Sequence, residues 1–470
     1  MILRALVILM LVIVVTGDVA AAAVPSVQVW QRDVGVTSVF LVTDEAIYVS
    51  TQREGFLALD PLDGEVLWTF HPLASVIGAT VAPDGDVYVA SLDGTIYALE
   101  GSSGWLIWQA TIGAVPASGP VLAGKTVVIS TYGMTLKALE RDTGQLRWQK
   151  ALPVRSNLAG IRGSEGLVIL ATDDGELWGI DPQSGGEVWH RRLGAPVTSL
   201  IQGAEGRILA LTGSGPAAVE AKSGTLAWTG AFAGVRTGVQ DVAGERTFLG
   251  GTSGVASFAL ASGRAEWVRE LGNTSNGGGH WAPVVYGQLL LAVPTGSARA
   301  RNYLWILDRE GEVLGRYRLP WRLDFEPRTA QELLITAGRD GVIRAFAPLR
   351  IFVNGREVSF TGAQPYTDLN RAYAPLRELA QSLGCQVTWD ASRKTAIVRR
   401  GDLVLHIPAW ERWVTAPEGM VSLQGRAALF SDYMLVPVRG FVEILGGQVN
   451  WNGRAGRVEI LMRAEGHGGG

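Results

Sequence analysis

One cysteine, Cys385, serves a chain of 470 residues. A single thiol excludes an intramolecular disulfide, a C-x-x-C-H haem attachment and any multi-cysteine zinc site. Its neighbourhood, LGCQVTW at 383–389, is apolar, so Cys385 reads as buried filler rather than a reactive thiol. Histidine is also scarce. His71, His190, His280, His406 and His467 include no two at metal-ligand spacing, and no H-E-x-x-H or G-x-S-x-G phrase occurs. Nor is there an excess of positive charge: 41 basic against 44 acidic residues leave a net charge of −3, which gives no footprint for nucleic acid. The apolar run at 5–15 is too short to span a bilayer. With Arg4 before it and AAAA at 20–23 after it, the run reads as a secretory signal peptide cut after Ala23, an uncleaved anchor being the alternative. Because no cysteine follows it, a lipid anchor attached at a cysteine there is excluded. The chain therefore reads as secreted or displayed on the cell surface, meeting the membrane only during export.

What the chain has in plenty is tryptophan at even spacing. Trp30, Trp68, Trp108, Trp148, Trp189, Trp228 and Trp267 follow one another at intervals of 38 to 41 residues. Such a period marks one supersecondary unit repeated in a stack or ring. Each Trp ends a similar phrase, as in GFLALDPLDGEVLW (55–68) or GELWGIDPQSGGEVW (175–189). A Gly opens a strand of alternating apolar residues, and an acid follows: Asp60, Glu100, Glu140, Asp181 or Glu220. Four residues on comes a Gly (Gly64, Gly104, Gly144, Gly185 or Gly224), and four after that the Trp. The alternation argues strands, and the acid and Gly argue a turn in which the carboxylate accepts backbone N–H groups and the Gly takes positive φ. With another strand pair upstream, such as VVIS at 127–130, each period holds four strands, the content of a propeller blade. The recurrence of the acids once per unit makes them turn residues rather than catalysts.

The A-x-D/E-x-x-x-G-x-x-x-W phrase resembles the PQQ-type β-propeller repeat of quinoprotein dehydrogenases and of outer-membrane assembly propeller lipoproteins. The likeness runs from residue 27 to about 348 and implies a mainly β ring. Six full units end at Trp68 through Trp267. A seventh, LWILDREGEVLG (304–315), keeps Asp308 and Gly311 but has Gly315 in the Trp position, and LLITAGRDGVIRAFAP (333–348) starts an eighth that lacks its outer strand. VQVWQRDV (27–34) supplies a strand and a Trp with no unit before it. Eight blades are therefore expected, with the N-terminal strand completing the last and leaving no open edge. Seven is the alternative count.

After about residue 349 the period changes to 62. APLRELAQSLGCQVTWD (374–390) repeats as VPVRGFVEILGGQVNWN (436–452), pairing Pro375 with Pro437, Arg377 with Arg439, Gly384 with Gly446 and Trp389 with Trp451. Each copy reads as a short helix after Pro, ended by Gly, then a strand. Asn354-Gly355 reads as the turn of an opening hairpin. This segment resembles the copper amine oxidase N-terminal-like domain, which by that likeness is an accessory module without copper or quinone chemistry. The expected plan is a signal peptide (1–23), a propeller (24–349), a small α+β domain of two repeats (350–463) and a disordered tail (464–470).

The resemblance also raises a cofactor. Enzymes of the propeller family hold PQQ with Ca²⁺ on the ring axis, many with a vicinal disulfide, which one cysteine outside the ring excludes. The regular spacing also leaves little room for walls around such a site. No catalytic residue, metal ligand or cofactor is assigned, and PQQ with calcium is kept as an alternative. Aligned by blade, the residues opening the inner strands should ring the channel mouth. They are Ser38, Ile77, Ser118, Asn157 and Thr198, then Arg236, His280 with Trp281, and Asp324 with Glu326. The last five concentrate charge and an aromatic in one sector, a candidate binding patch for a polar ligand or a partner's loop. Paired charges satisfying one another would be the plainer explanation. The function expected is that of a non-catalytic exported scaffold with a protein or cell-envelope partner. The alternatives are a PQQ-dependent dehydrogenase and a cell-wall or carbohydrate-binding protein, for which Trp410 and Trp413 stand outside both repeats.

Overall fold

A computed structural model describes residues 26–462, except 153–157, 204, 236, 241–244, 272–279, 287–288, 295–302, 320, 361–362, 369–370, 431–432 and 453–455. Between 26 and 348 the described strands form eight four-stranded antiparallel sheets. The first uses Val36–Val42, Ile47–Thr51, Phe56–Leu59 and Val66–Phe70 in sequence order. The next six repeat that order over 76–111, 121–151, 158–192, 197–229, 237–270 and 284–318. The eighth takes Arg328–Ala330, Leu333–Ala337 and Val342–Pro348, and its outer place is filled by Ser26–Asp33 from the other end of the ring. That strand pairs antiparallel from Ser26↔Pro348 to Asp33↔Val342, with a bulge between Gln28 and Trp30. The first strands of the sheets lie against one another at the centre, and that of the first sheet meets that of the eighth. The described sheets thus close on themselves as a β-propeller.

Separate apolar clusters lie between successive sheets. One packs Tyr48, Phe56 and Trp68 of the first sheet on Val87, Val89 and Tyr97 of the second. The second and third strands of each sheet are the most buried, which is why they read as near-continuous apolar runs such as VVIS. At the centre the chains come close: a Cβ on Gly78 would lie 2.4 Å from Gly119 Cα, so position 78 needs glycine.

The turns between third and fourth strands fit their sequence. The Gly N–H donates to the carbonyl of the acid four residues earlier, as from Gly144 to Glu140 at 2.8 Å, with φ near +70°. Asp60 and Asp181 also accept backbone N–H bonds inside the turn, from Leu62 at 2.7 Å and Ser184 at 2.7 Å. The Ser184 backbone and hydroxyl hold the Asp181 carboxyl below its usual range. Among the longer glutamates, the Glu100 carboxylate accepts the Ser103 hydroxyl within its own turn, while the other two point elsewhere. Glu140 pairs with Arg147 at 2.8 Å and Glu220 with Arg207 at 2.8 Å.

From Pro348 the chain passes into Arg350–Val353, which lies parallel to Arg457–Leu461 near the C-terminus. Asn354 (φ 47°) and Gly355 (φ 80°) make the hairpin turn to Arg356–Glu357. Two helices, α1 (Leu376–Ser382) and α2 (Val438–Ile444), start after Pro375 and Pro437. Both end before a glycine of positive φ, Gly384 and Gly446. The strands preceding them, Arg371–Pro375 and Tyr433–Pro437, pair antiparallel, so the two repeats share one sheet. Their common core includes Leu379, Cys385, Val398, Leu405, Phe441 and Ile460, and Val27 of the ring-closing strand packs against it.

Candidate functional site

Seven indoles lock the sheets together. The Nε1–H of Trp30, Trp68, Trp108, Trp148, Trp189, Trp228 and Trp267 donates to a turn carbonyl of the following sheet, at 2.7 to 3.0 Å. Each ring covers that turn's glycine so closely that a Cβ on Gly64, Gly104, Gly144, Gly185, Gly224, Gly263 or Gly311 would fall within 2.2 to 2.8 Å of it. The repeated tryptophans are therefore consumed by packing and hydrogen bonding.

In each sheet the entry into the inner strand lies at the same end as the turn between the second and third strands, so these loops share one face of the ring. Several small residues expected there stitch neighbouring sheets. Ser38 donates to the Val76 carbonyl at 2.5 Å, and Thr198 to the Val235 carbonyl at 2.9 Å. Ser118 bonds within its own sheet, to Ser130 at 2.9 Å. Ile77 packs against the cluster between the second and third sheets.

The charged sector is partly brought together. Arg236 and Asn157 lie outside the described residues. The Ala282 N–H donates to the Glu326 carboxylate, which joins the Trp281 loop to the loop of Asp324 and Glu326. Each acid pairs with an arginine two residues away: Glu326 with Arg328 at 2.7 Å and Asp324 with Arg322 at 3.3 Å. Burial raises the Glu326 pKa, and the Arg328 guanidinium opposes that shift. The loop itself is clamped. Trp321 stacks on Phe346 with centroids 5.9 Å apart, the Arg344 guanidinium lies 4.1 Å from the Trp321 ring centroid, and Phe325 meets Phe40 at 5.6 Å.

His280 is elsewhere than at an open mouth. It is 1% exposed, wedged between the sixth and seventh sheets, with its backbone N–H donating to the Gly251 carbonyl at 2.8 Å. Gly250 makes room: a Cβ there would lie 2.3 Å from the His280 carbonyl. Neither imidazole nitrogen makes a hydrogen bond of ordinary geometry among the described residues. Burial lowers its pKa to about 4, and the nearby Gly251 backbone pulls only partly the other way.

On the same face, about three sheets away, stands a feature the sequence reading passed over. Leu73, Leu92, Val115 and Tyr132 are 84%, 49%, 41% and 71% exposed. Backbone bonds tie their loops into one strip, from Leu92 N–H to Ser75, from Ile112 N–H to Gly94, and from Tyr132 N–H to Val115. The sequence signal was there: an apolar residue sits in the turns SLDG (91–94) and TYGM (131–134), where polar residues serve better. Among the described residues no three His, Cys, Asp or Glu side chains gather as a metal site. No helix among them is long and apolar enough to cross a membrane.

The ring and its module have relatives. Residues 15–157 and 135–300 match the family model described as outer membrane protein assembly factor BamB, together more than half of the chain. The chain belongs to that family. Residues 352–460 match the copper amine oxidase N-terminal domain. Among solved structures, BamB from Moraxella catarrhalis is 17% identical, with a TM-score of 0.55 over 68% of this chain and 97% of its own. The computationally designed protein Ika8 is 14% identical, with a TM-score of 0.54 over 68% of this chain and 98% of its own. At these identities the likeness is one of fold. No curated protein matches the chain. The BamB-like ring accounts for the Trp period, and the second match accounts for the repeat of 62.

Proposed function

We propose that this BamB-family chain is a non-catalytic binding protein of the cell envelope, an eight-bladed ring that offers one face to a protein partner. Each four-stranded sheet is read as one blade, with the N-terminal strand as the clasp. The observation that carries the binding role is the exposed apolar strip of Leu73, Leu92, Val115 and Tyr132. Large apolar side chains clustered in loops on a rigid ring cost solubility unless something covers them. The family description concerns assembly of outer-membrane proteins; what carries over is contact with protein through the ring. Export through the segment before Ala23 and a positioning role for the C-terminal module belong to the same reading. Asp324 and Glu326, already paired with Arg322 and Arg328, serve in it as a polar margin of the face.

A photo-crosslinking residue placed at Leu73 or Tyr132 of the full chain, in its own cells, should give one discrete protein adduct. The same residue at Leu62, 60% exposed in a turn on the opposite face, should give none. Leu92→Asp should abolish the adducts. Crosslinks of equal yield from Leu62, or adducts indifferent to Leu92→Asp, would overturn the reading. Titration with PQQ and Ca²⁺ tests the dehydrogenase alternative, and calcium-dependent binding at micromolar concentration would displace the non-catalytic assignment.

A further inference from the structure

A groove of about 760 Å³ lies where the ring-closing strand meets the C-terminal module. Its size falls in the range of small-ligand sites. Its floor is apolar and largely buried, built from Pro437, Gly440, Val449 and Val458 with Val27 of the ring beside them. Its rim is of another kind: Arg371, Arg439, Gln424 and Trp451, all exposed.

The two guanidiniums differ in what they already hold. Arg439 stands 3.6 Å from Glu443, a loose pairing, and the same carboxylate takes a tighter bond of 2.6 Å from the Gln424 amide. Arg371 makes no ion pair with any described residue. Trp451 is 43% exposed, and unlike the seven indoles of the ring it makes no hydrogen bond to a turn carbonyl among the described residues. The groove therefore gathers an uncommitted positive charge, a weakly committed one and an open indole face around an apolar floor.

We propose that this groove binds a small anion that carries a ring with a face able to stack on an indole, the anion resting on Arg371 and Arg439 and the ring on Trp451. Planar guanidiniums match carboxylate and phosphate oxygens in a bidentate fork, and an indole offers its face to a ring. A uronic acid sugar and a nucleotide share that chemistry. The site is independent of the apolar strip on the face of the ring, and either can fail without the other.

The position-equivalent residues of the first repeat supply an internal control. Trp389 occupies the place of Trp451 and is 40% exposed, but the position that corresponds to Arg371 is Tyr433, so the equivalent surface beside Trp389 lacks that guanidinium. Calorimetric titration of the full chain with trigalacturonate, with adenosine monophosphate and with inorganic phosphate tests the proposal. One of the two ring-bearing anions should bind at least tenfold more tightly than inorganic phosphate, and the arm that binds identifies the source. Arg371→Gln and Trp451→Ala should each weaken it tenfold or more, while Trp389→Ala leaves it unchanged. All three positions are exposed, and unchanged melting temperatures will verify that the variants fold. Absence of binding by both ring-bearing anions overturns the proposal. So does equal binding of inorganic phosphate, or equal losses from Trp389→Ala and Trp451→Ala.

Discussion

Trp30 donates its indole N–H to the Pro61 carbonyl at 2.9 Å, and its ring fills the space that a Cβ on Gly64 would need. This contact joins the first strand of the chain to the first sheet, and the same lock recurs at six later junctions. The junction without one explains Gly315. The eighth sheet has no turn between its third and fourth strands, because the chain leaves at Pro348 and the outer strand arrives from Ser26. A tryptophan at 315 would have no glycine turn to cover. The seventh unit has lost its Trp where the architecture removes its receptor.

The lock can be separated from ordinary glycine strain. Gly144 (φ 70°) meets the Trp108 ring, with a Cβ placed 2.5 Å from it, whereas Gly113 (φ 66°) has nothing within 4 Å. Gly113→Ala should cost about 1 kcal/mol, the left-handed backbone penalty alone. Gly144→Ala should cost roughly 2–4 kcal/mol, because overpacking adds to that penalty. Urea unfolding of the two variants measures the gap, and equal losses would refute the lock.

Closure makes a second prediction. Trp30→Phe keeps a ring over Gly64 and loses the bond to Pro61, a cost of about 1 kcal/mol. Trp30→Ala also empties the pocket and should cost roughly 3–5 kcal/mol. If the N-terminal strand detaches in the alanine variant, Val342–Pro348 becomes an open edge, and sedimentation should show self-association. A monomer with unchanged unfolding free energy would show that the strand is dispensable.

The ring was legible because its period is carried by residues with one structural use, Trp and positive-φ Gly, at fixed spacing. The helix ends at Gly384 and Gly446 were legible for the same reason. The face of the ring was harder. His280, aligned with residues that open inner strands, turns inward because the glycine at 250 lets its backbone approach the neighbouring sheet and bond the Gly251 carbonyl. Nothing local in NTSNGGGHW announces that. The arginines at 322 and 328 that satisfy Asp324 and Glu326 were visible as residues, but pairing two positions apart depends on the loop's path. The groove beside Trp451 joins residues from 27 to 458 and has no sequence signature.

Cys385 is 5% exposed, and burial pushes its thiol up, with Arg400 opposing. A raised thiol holds little thiolate at neutral pH, so the folded protein should react with a disulfide reagent at least a hundredfold more slowly than the urea-unfolded chain. Reactivity should appear together with unfolding of the C-terminal module. Rapid labelling of the native protein would contradict the burial seen in the core.

His280 should make the ring sensitive to mild acid. Its folded pKa is about 4 against an ordinary 6.5, because the buried imidazole resists charge. Above pH 6.5 both folded and unfolded forms are neutral, and the contribution is whole. As pH falls below 6.5 the unfolded chain takes the proton first, so stability drains until the folded imidazole also protonates near pH 4. The full loss across that window is about 3 kcal/mol. The carboxylates, and the His190–Glu176 contact at 2.6 Å, are common to the wild type and a His280→Gln variant. The difference in unfolding free energy between the two therefore isolates this group. It should be constant above pH 6.5 and shift against the wild type by about 3 kcal/mol on the way to pH 4. A difference that stays flat across the window would mean that the imidazole finds a proton acceptor in the folded ring.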